Sequence, residues 1–111
     1  MSKLRDLTCA PCPAGTPPLS SVDAARLLAE LQSGWRIADD GKSLRRAWRF
    51  ANFHQTIGFV NAVAWIANAE DHHPDLEVGY DYCRMALGTH SIGGLSQNDF
   101  ICAAKIDGLS A

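Results

Sequence analysis

No apolar run in this chain approaches the roughly 20 residues that cross a bilayer. Its first residues, Met1 to Leu7, also lack the apolar core of a signal peptide. From these two absences we expect a cytoplasmic protein with no membrane partner. Positive charge is not in excess: ten Lys and Arg stand against twelve Asp and Glu, a net charge of -2, with no basic run. The chain therefore has no electrostatic basis for direct nucleic-acid binding. Internal repeats are absent, and the one biased tract is rich in proline. Cysteine is limited to four residues. Cys83 falls in a strand-like run and Cys102 in a helical one, positions that read as core filling. Cys9-Ala10-Pro11-Cys12 has redox or zinc spacing, but no second pair accompanies it and no βαβ pattern surrounds it, so it reads as two thiols on an arm.

What is present is an ordinary globular composition, 47% apolar and 20% charged over 111 residues. That is enough chain for one domain with its own core. Four of the five prolines lie between Pro11 and Pro18, which sets residues 1–19 apart as a flexible, proline-rich N-terminal arm and leaves residues 20–111 as a single domain. Ser20 reads as a helix N-cap, with Asp23 three residues on and Leu19 placed to pack on Ala24. Leu27, Leu28 and Leu31 continue an apolar stripe that Gly34 ends. Trp35 to Ala38 and Leu44 to Phe50 flank the polar turn Asp39-Asp40-Gly41-Lys42, the pattern of a β-hairpin. In its second strand Leu44, Trp48 and Phe50 share one face, while Arg45, Ala47 and Arg49 share the wetter one.

The longest helical pattern runs from Phe53 to about His72, with Phe53, Ile57, Val60, Val63, Ala64 and Ala67 on one face. A neighbouring stripe carries His54, Trp65, Asn68 and His72, which makes Asn68 a candidate partner of His72 one turn away. Leu76, Val78 and Tyr80, then Cys83, Met85 and Leu87, alternate at a period of two and predict a second antiparallel hairpin. Ser96 repeats the N-cap grammar, with Asp99 at the third position and a final helix from about Gln97 to Ile106. The order α-β-β-α-β-β-α predicts an α+β fold: a four-stranded antiparallel sheet with three helices on one face.

Asp71-His72-His73-Pro74 is the corner around which this order turns. A proline disfavours helix in the residue before it, so the central helix should end at His72 or His73. Two adjacent imidazoles then sit at a helix end whose dipole favours the protonated form. Together with His90, which follows Thr89 out of the last strand, they can ligate metal or move protons. Adjacent helical residues point about 100° apart, which does not suit a zinc site on one face. His54 reads as a surface residue.

Tyr80 lies six residues beyond Pro74, His90 ten residues later, and Asp99 nine beyond that. With Asp71-His72-His73-Pro74, this pattern resembles the pterin-4a-carbinolamine dehydratases. The similarity runs from about Leu19 to Asp107 and includes the Phe59 region and Gly94-Leu95-Ser96. The resemblance implies dehydration of 4a-hydroxytetrahydropterin to the quinonoid dihydropterin, which recycles the pterin of aromatic amino-acid hydroxylases. It implies no metal and no organic cofactor, the pterin being the substrate. It makes His72, His73 and His90 the catalytic residues, with His72 as general acid and His73 and His90 accepting protons or orienting the pterin. Asp71, Asn68, Pro74 and Thr89 would bind substrate or support the histidines. Where the family usually carries a charged residue four positions before the first histidine, this chain has Asn68, with Glu70 or Asp71 as substitutes. The family's dimers and tetramers imply a homodimer or homotetramer. The alternative role, also implied by the resemblance, is a non-enzymatic dimerisation cofactor or regulator of a protein partner.

Overall fold

The computed structural model describes residues 4–110. Its elements run α1 (Ser21–Leu28), β1 (Arg36–Ile37), β2 (Leu44–Arg49), α2 (Phe53–Glu70), β3 (Asp75–Val78), β4 (Tyr82–Leu87) and α3 (Gln97–Asp107), with short 3-10 turns at Leu4–Asp6, His90–Ile92 and Gly108–Ser110. The strands form one antiparallel sheet in the order β1-β2-β4-β3. Central pairing is set by β2 and β4, where Leu44 lies opposite Leu87 and Trp48 opposite Cys83. Because side chains alternate across a strand, this register puts Leu44, Trp48, Cys83, Met85 and Leu87 on one face. The three helices cover that face through Ala24, Leu27, Val63, Phe100, Ile101 and Ala104, all buried in one core. Arg45, Ala47, Arg49 and Arg84 occupy the opposite, exposed face.

Several local expectations shift, each for a traceable reason. α1 stops at Leu28 rather than running to Gly34, and Leu31 follows in a tight turn. Asp107, at the end of α3, accepts hydrogen bonds from the Gln32 backbone at 2.9 Å, the Trp35 indole at 2.7 Å and Arg46 at 3.0 Å. That buried carboxylate draws the chain out of helix and onto the sheet. It also allows Arg46 to sit on the core side of β2, packed over the Trp48 ring at 4.9 Å. The inward face of α2 is turned from the expected one: Thr56, Val63 and Ala67 are buried and Phe59 and Ile66 pack on the core, while Phe53 is 50% exposed and Trp65 74%. The helix is apolar on most of its circumference, so periodicity alone does not choose which stripe faces in.

The arm requires a correction as well. Leu4 is 2% exposed and belongs to the core, with Cys9 packed against it. The Cys9 and Ala10 backbone N–H groups donate to Glu70 Oε1 at 2.8 Å and Asn98 Oδ1 at 3.0 Å, and Asn98 Nδ2 donates back to the Ala10 carbonyl at 2.6 Å. The segment is irregular, as its prolines require, yet its polar backbone is paired by side chains of α2 and α3. We expect Leu4→Ala to lower unfolding free energy by about 2–4 kcal/mol, as for other leucines truncated in a core. Urea unfolding of the two proteins measures it, and a change below 0.5 kcal/mol would mean that the segment contributes no packing.

Candidate active site

The corner forms because α2 ends earlier than Pro74 requires. Glu70 is the last helical residue, and Asp71 takes a left-handed conformation, φ 51 and ψ 44. Its N–H bonds back to Asn68 O at 3.4 Å, and the His72 N–H reaches Ala67 O at 3.1 Å. This is the paired cap that normally uses glycine, and an aspartate there carries a strain on the order of 1 kcal/mol. The expected helix end at His72 or His73 is thus corrected by two or three residues. The change matters because His72 leaves the helical stripe it would otherwise share with Asn68.

His72 turns inward, its side chain 12% exposed, and Nε2 donates to Asp99 Oδ1 at 2.6 Å. His73 turns outward, and Asn68 Oδ1 meets its Nε2 at 3.0 Å. Asn68 therefore partners His73, where the stripe argument had assigned it to His72. Asp99 is fully buried. Its Oδ2 accepts from the Thr89 hydroxyl at 2.9 Å and from the Ser96 backbone N–H at 3.0 Å, and Ser96 in turn caps α3. Three donors satisfy a carboxylate that would otherwise be costly to bury. The hydrogen bond to Asp99 holds His72 above the ordinary imidazole value of 6.5, and its charge adds to the effect against the opposing cost of burial.

Thr89 also holds the second half of the site. Its hydroxyl accepts from Ser96 Oγ at 2.7 Å, and its backbone N–H pairs with Gly94 O at 3.0 Å, pinning the short turn that carries His90. His90 is exposed at the rim of a cavity of about 280 Å³ that Thr89, Gly94, Asp75, Arg45 and Lys42 also line. A larger cleft, about 580 Å³, lies on the outward face of the sheet among Arg36, Arg45, Arg84, Asp75 and Glu77 and holds no histidine. Of the two, the smaller cavity is the one lined by a candidate histidine, His90, and by Thr89 of the Asp99 network.

The residues selected from sequence thus divide. His72, Thr89 and Asp99 form one connected network, His73 and Asn68 a second pair on the same corner, and His90 is joined to the first through Thr89. Pro74 starts β3 by leading into Asp75. Asp71 is exposed and acts through its backbone. Glu70 does not replace the charge absent at position 68, since it is taken by the Cys9 N–H and lies 3.7 Å from Lys105. Sequence reasoning read Asp99 as a helix cap and as part of the family pattern, but gave it no partner. It is that cap, and its other oxygen serves His72; an acidic residue at the third helical position near a histidine corner is the signal that could have revealed it. Among the described residues no cluster of three or more His, Cys, Asp or Glu side chains could hold a metal ion.

Comparison with known proteins follows the same lines. The family described as pterin 4 alpha carbinolamine dehydratase matches residues 17–109. A Nitrosomonas europaea protein, provisionally named a pterin-4-alpha-carbinolamine dehydratase, is 54% identical over 104 residues, covering 94% of this chain and 90% of its own. A Legionella pneumophila protein of the same name is 50% identical over 108 residues, covering 97% and 96%. A solved structure from Brucella melitensis, described as a transcriptional coactivator/pterin dehydratase, superposes with a TM-score of 0.79 at 28% identity, over 85% of this chain and 99% of that one. A pterin dehydratase-like RuBisCO assembly factor of the alpha-carboxysome shares the fold, with a TM-score of 0.62 at 23% identity over 72% of this chain and 93% of its own.

The raised His72 value has a defined effect on stability. The native state holds this proton more tightly than the unfolded chain, so the contribution is fully present below pH 6.5 and is lost as pH rises through the higher folded value. NMR titration should place His72 above 6.5 in the native protein and lower in Asp99→Asn, whose stability should fall less between those two pH values. Equal His72 titration in both proteins would show that Asp99 does not control it.

Proposed function

The chain belongs to the pterin 4 alpha carbinolamine dehydratase family, and from that premise we propose that it is a hydro-lyase converting 4a-hydroxytetrahydropterin to quinonoid dihydropterin. The observation that carries this reading is the His72–Asp99 pair at 2.6 Å. Dehydration needs a proton delivered to the leaving 4a-hydroxyl and another removed from a ring nitrogen, so that water departs and a C=N bond forms. A buried carboxylate makes this imidazole hold its proton to higher pH than a free one, which suits the donor. His72 is therefore assigned as general acid. His73, steadied by Asn68, and His90, at the cavity rim, take the roles of proton acceptor and pterin-orienting groups. Thr89 supports both halves, and Asp71 and Pro74 set the corner. The reaction uses no metal or organic cofactor in this reading. It serves pterin recycling in the cytoplasm.

We assign a homo-oligomer as the working state, because α2 leaves Phe53, Ala64 and Trp65 exposed. No described helix is long and apolar enough to cross a membrane. The same helical surface, with the coactivator description of the Brucella structure, supports the second reading, a non-enzymatic regulator of a protein partner.

Stopped-flow measurement of carbinolamine dehydration by the purified protein tests the assignment. Turnover should persist after EDTA treatment. His72→Ala, His73→Ala and His90→Ala should each lower it, by up to about 10²- to 10⁴-fold, with losses that do not multiply in combination because the groups serve one transition state. A folded wild-type protein with no activity would favour the regulatory reading. Full activity in any one variant would remove that histidine from the site.

A further inference from the structure

Three of the four cysteines gather where the N-terminal segment crosses the start of α3. Cys9 Sγ lies 3.7 Å from Cys102 Sγ and 3.6 Å from the Asn98 carbonyl, and Cys12 Sγ lies 3.5 Å from Asn98 Nδ2. Cys102 is one turn beyond Asp99, and its sulfur is 3.9 Å from the His72 carbonyl. None of these thiols has a part in the proton transfers assigned above. All four cysteines are free in this structure.

We propose that Cys9 and Cys102 form an oxidant-sensitive disulfide site that staples the N-terminal segment to α3 behind the active-site corner. The two sulfurs are in van der Waals contact, and a disulfide requires closure to about 2.05 Å. Cys9 sits on an irregular segment rather than within a helix or strand, so small rotations along residues 4–12 can supply the approach. Cys9 is also the more open of the pair, half-buried where Cys102 is 1% exposed. Hydrogen peroxide is small enough to serve as the oxidant. The Cys9 sulfur, after loss of its proton, attacks one peroxide oxygen; the O–O bond breaks, leaving a sulfenic acid and hydroxide, which leaves as water. The Cys102 sulfur then attacks the sulfenic sulfur, the S–O bond breaks, and the second thiol proton leaves in a second water. Two electrons pass from the thiol pair to the peroxide.

The hydrogen bond with Cys102, and then burial, push the Cys9 thiol well above its ordinary range. Since the thiolate is the nucleophile, the pair rests reduced under mild conditions and reacts only when oxidant is abundant. The loop closed runs from position 9 to 102, a long span for which a crosslink restricts the unfolded chain strongly.

The experiment treats the full-length protein with hydrogen peroxide, blocks remaining thiols, and maps tryptic peptides without reduction. Cys9 and Cys12 share peptide 6–26, Cys102 lies in 85–105 and Cys83 in 50–84, so the link is identified directly. We expect 6–26 joined to 85–105 in wild type and in Cys12→Ser, absent in Cys9→Ser, and reversed by dithiothreitol. Tm should rise by about 5 °C or more in the linked protein. Free thiols after treatment, sulfinic or sulfonic acids without a link, or a link that survives in Cys9→Ser would each overturn the proposal. So would a link that leaves Tm unchanged or lowered. The readout is independent of dehydratase activity.

Discussion

A single buried carboxylate, Asp99, holds the histidine corner together. It accepts hydrogen bonds from a backbone N–H at the start of its own helix, from a threonine just past β4, and from His72 just past α2. These groups come from three separate parts of the chain. A charge with no water around it is tolerable only when such donors are all in place, so the three parts are bound to one geometry. The price is stringency: the loss of any donor leaves a charge buried without compensation. The benefit is a histidine whose orientation is fixed and whose proton affinity is raised.

Around that centre, the end of α2 decides where each histidine points. A left-handed Asp71 breaks the helical progression, so that His72 and His73 point in different directions with different partners. One faces a buried anion, and the other faces an exposed amide. Two neighbouring imidazoles thereby have different electrostatic surroundings, and the buried anion favours the protonated form of His72. The N-terminal segment closes the far side of the corner, where Cys9 occupies Glu70 and Asn98 pairs with Ala10.

Much of this was legible in the residues. Alternation in Leu44–Phe50 and Cys83–Leu87, the serine caps at Ser20 and Ser96, and the long apolar helix were sufficient for the α+β sandwich, because strand and helix periods differ sharply and caps are local. His72, His73 and His90 were also recognisable as a group from their placement at element ends. The inward stripe of α2 was not, since its apolar residues nearly encircle it and only the sheet and α3 select the buried side. Proline density in the arm correctly predicted irregular structure but says nothing of packing, which depends on Glu70 and Asn98 far along the chain.

The sequence by itself determined the order of elements, the strand faces and the corner at which His72 and His73 sit, because each follows from interactions among residues a few positions apart. Only the tertiary structure decided that Asp99 belongs to His72, that Asn68 belongs to His73, and that Cys9 meets Cys102. Those pairings join residues 27 and 93 positions apart in two cases. In the third they depend on one backbone angle at Asp71 that redirects everything after it.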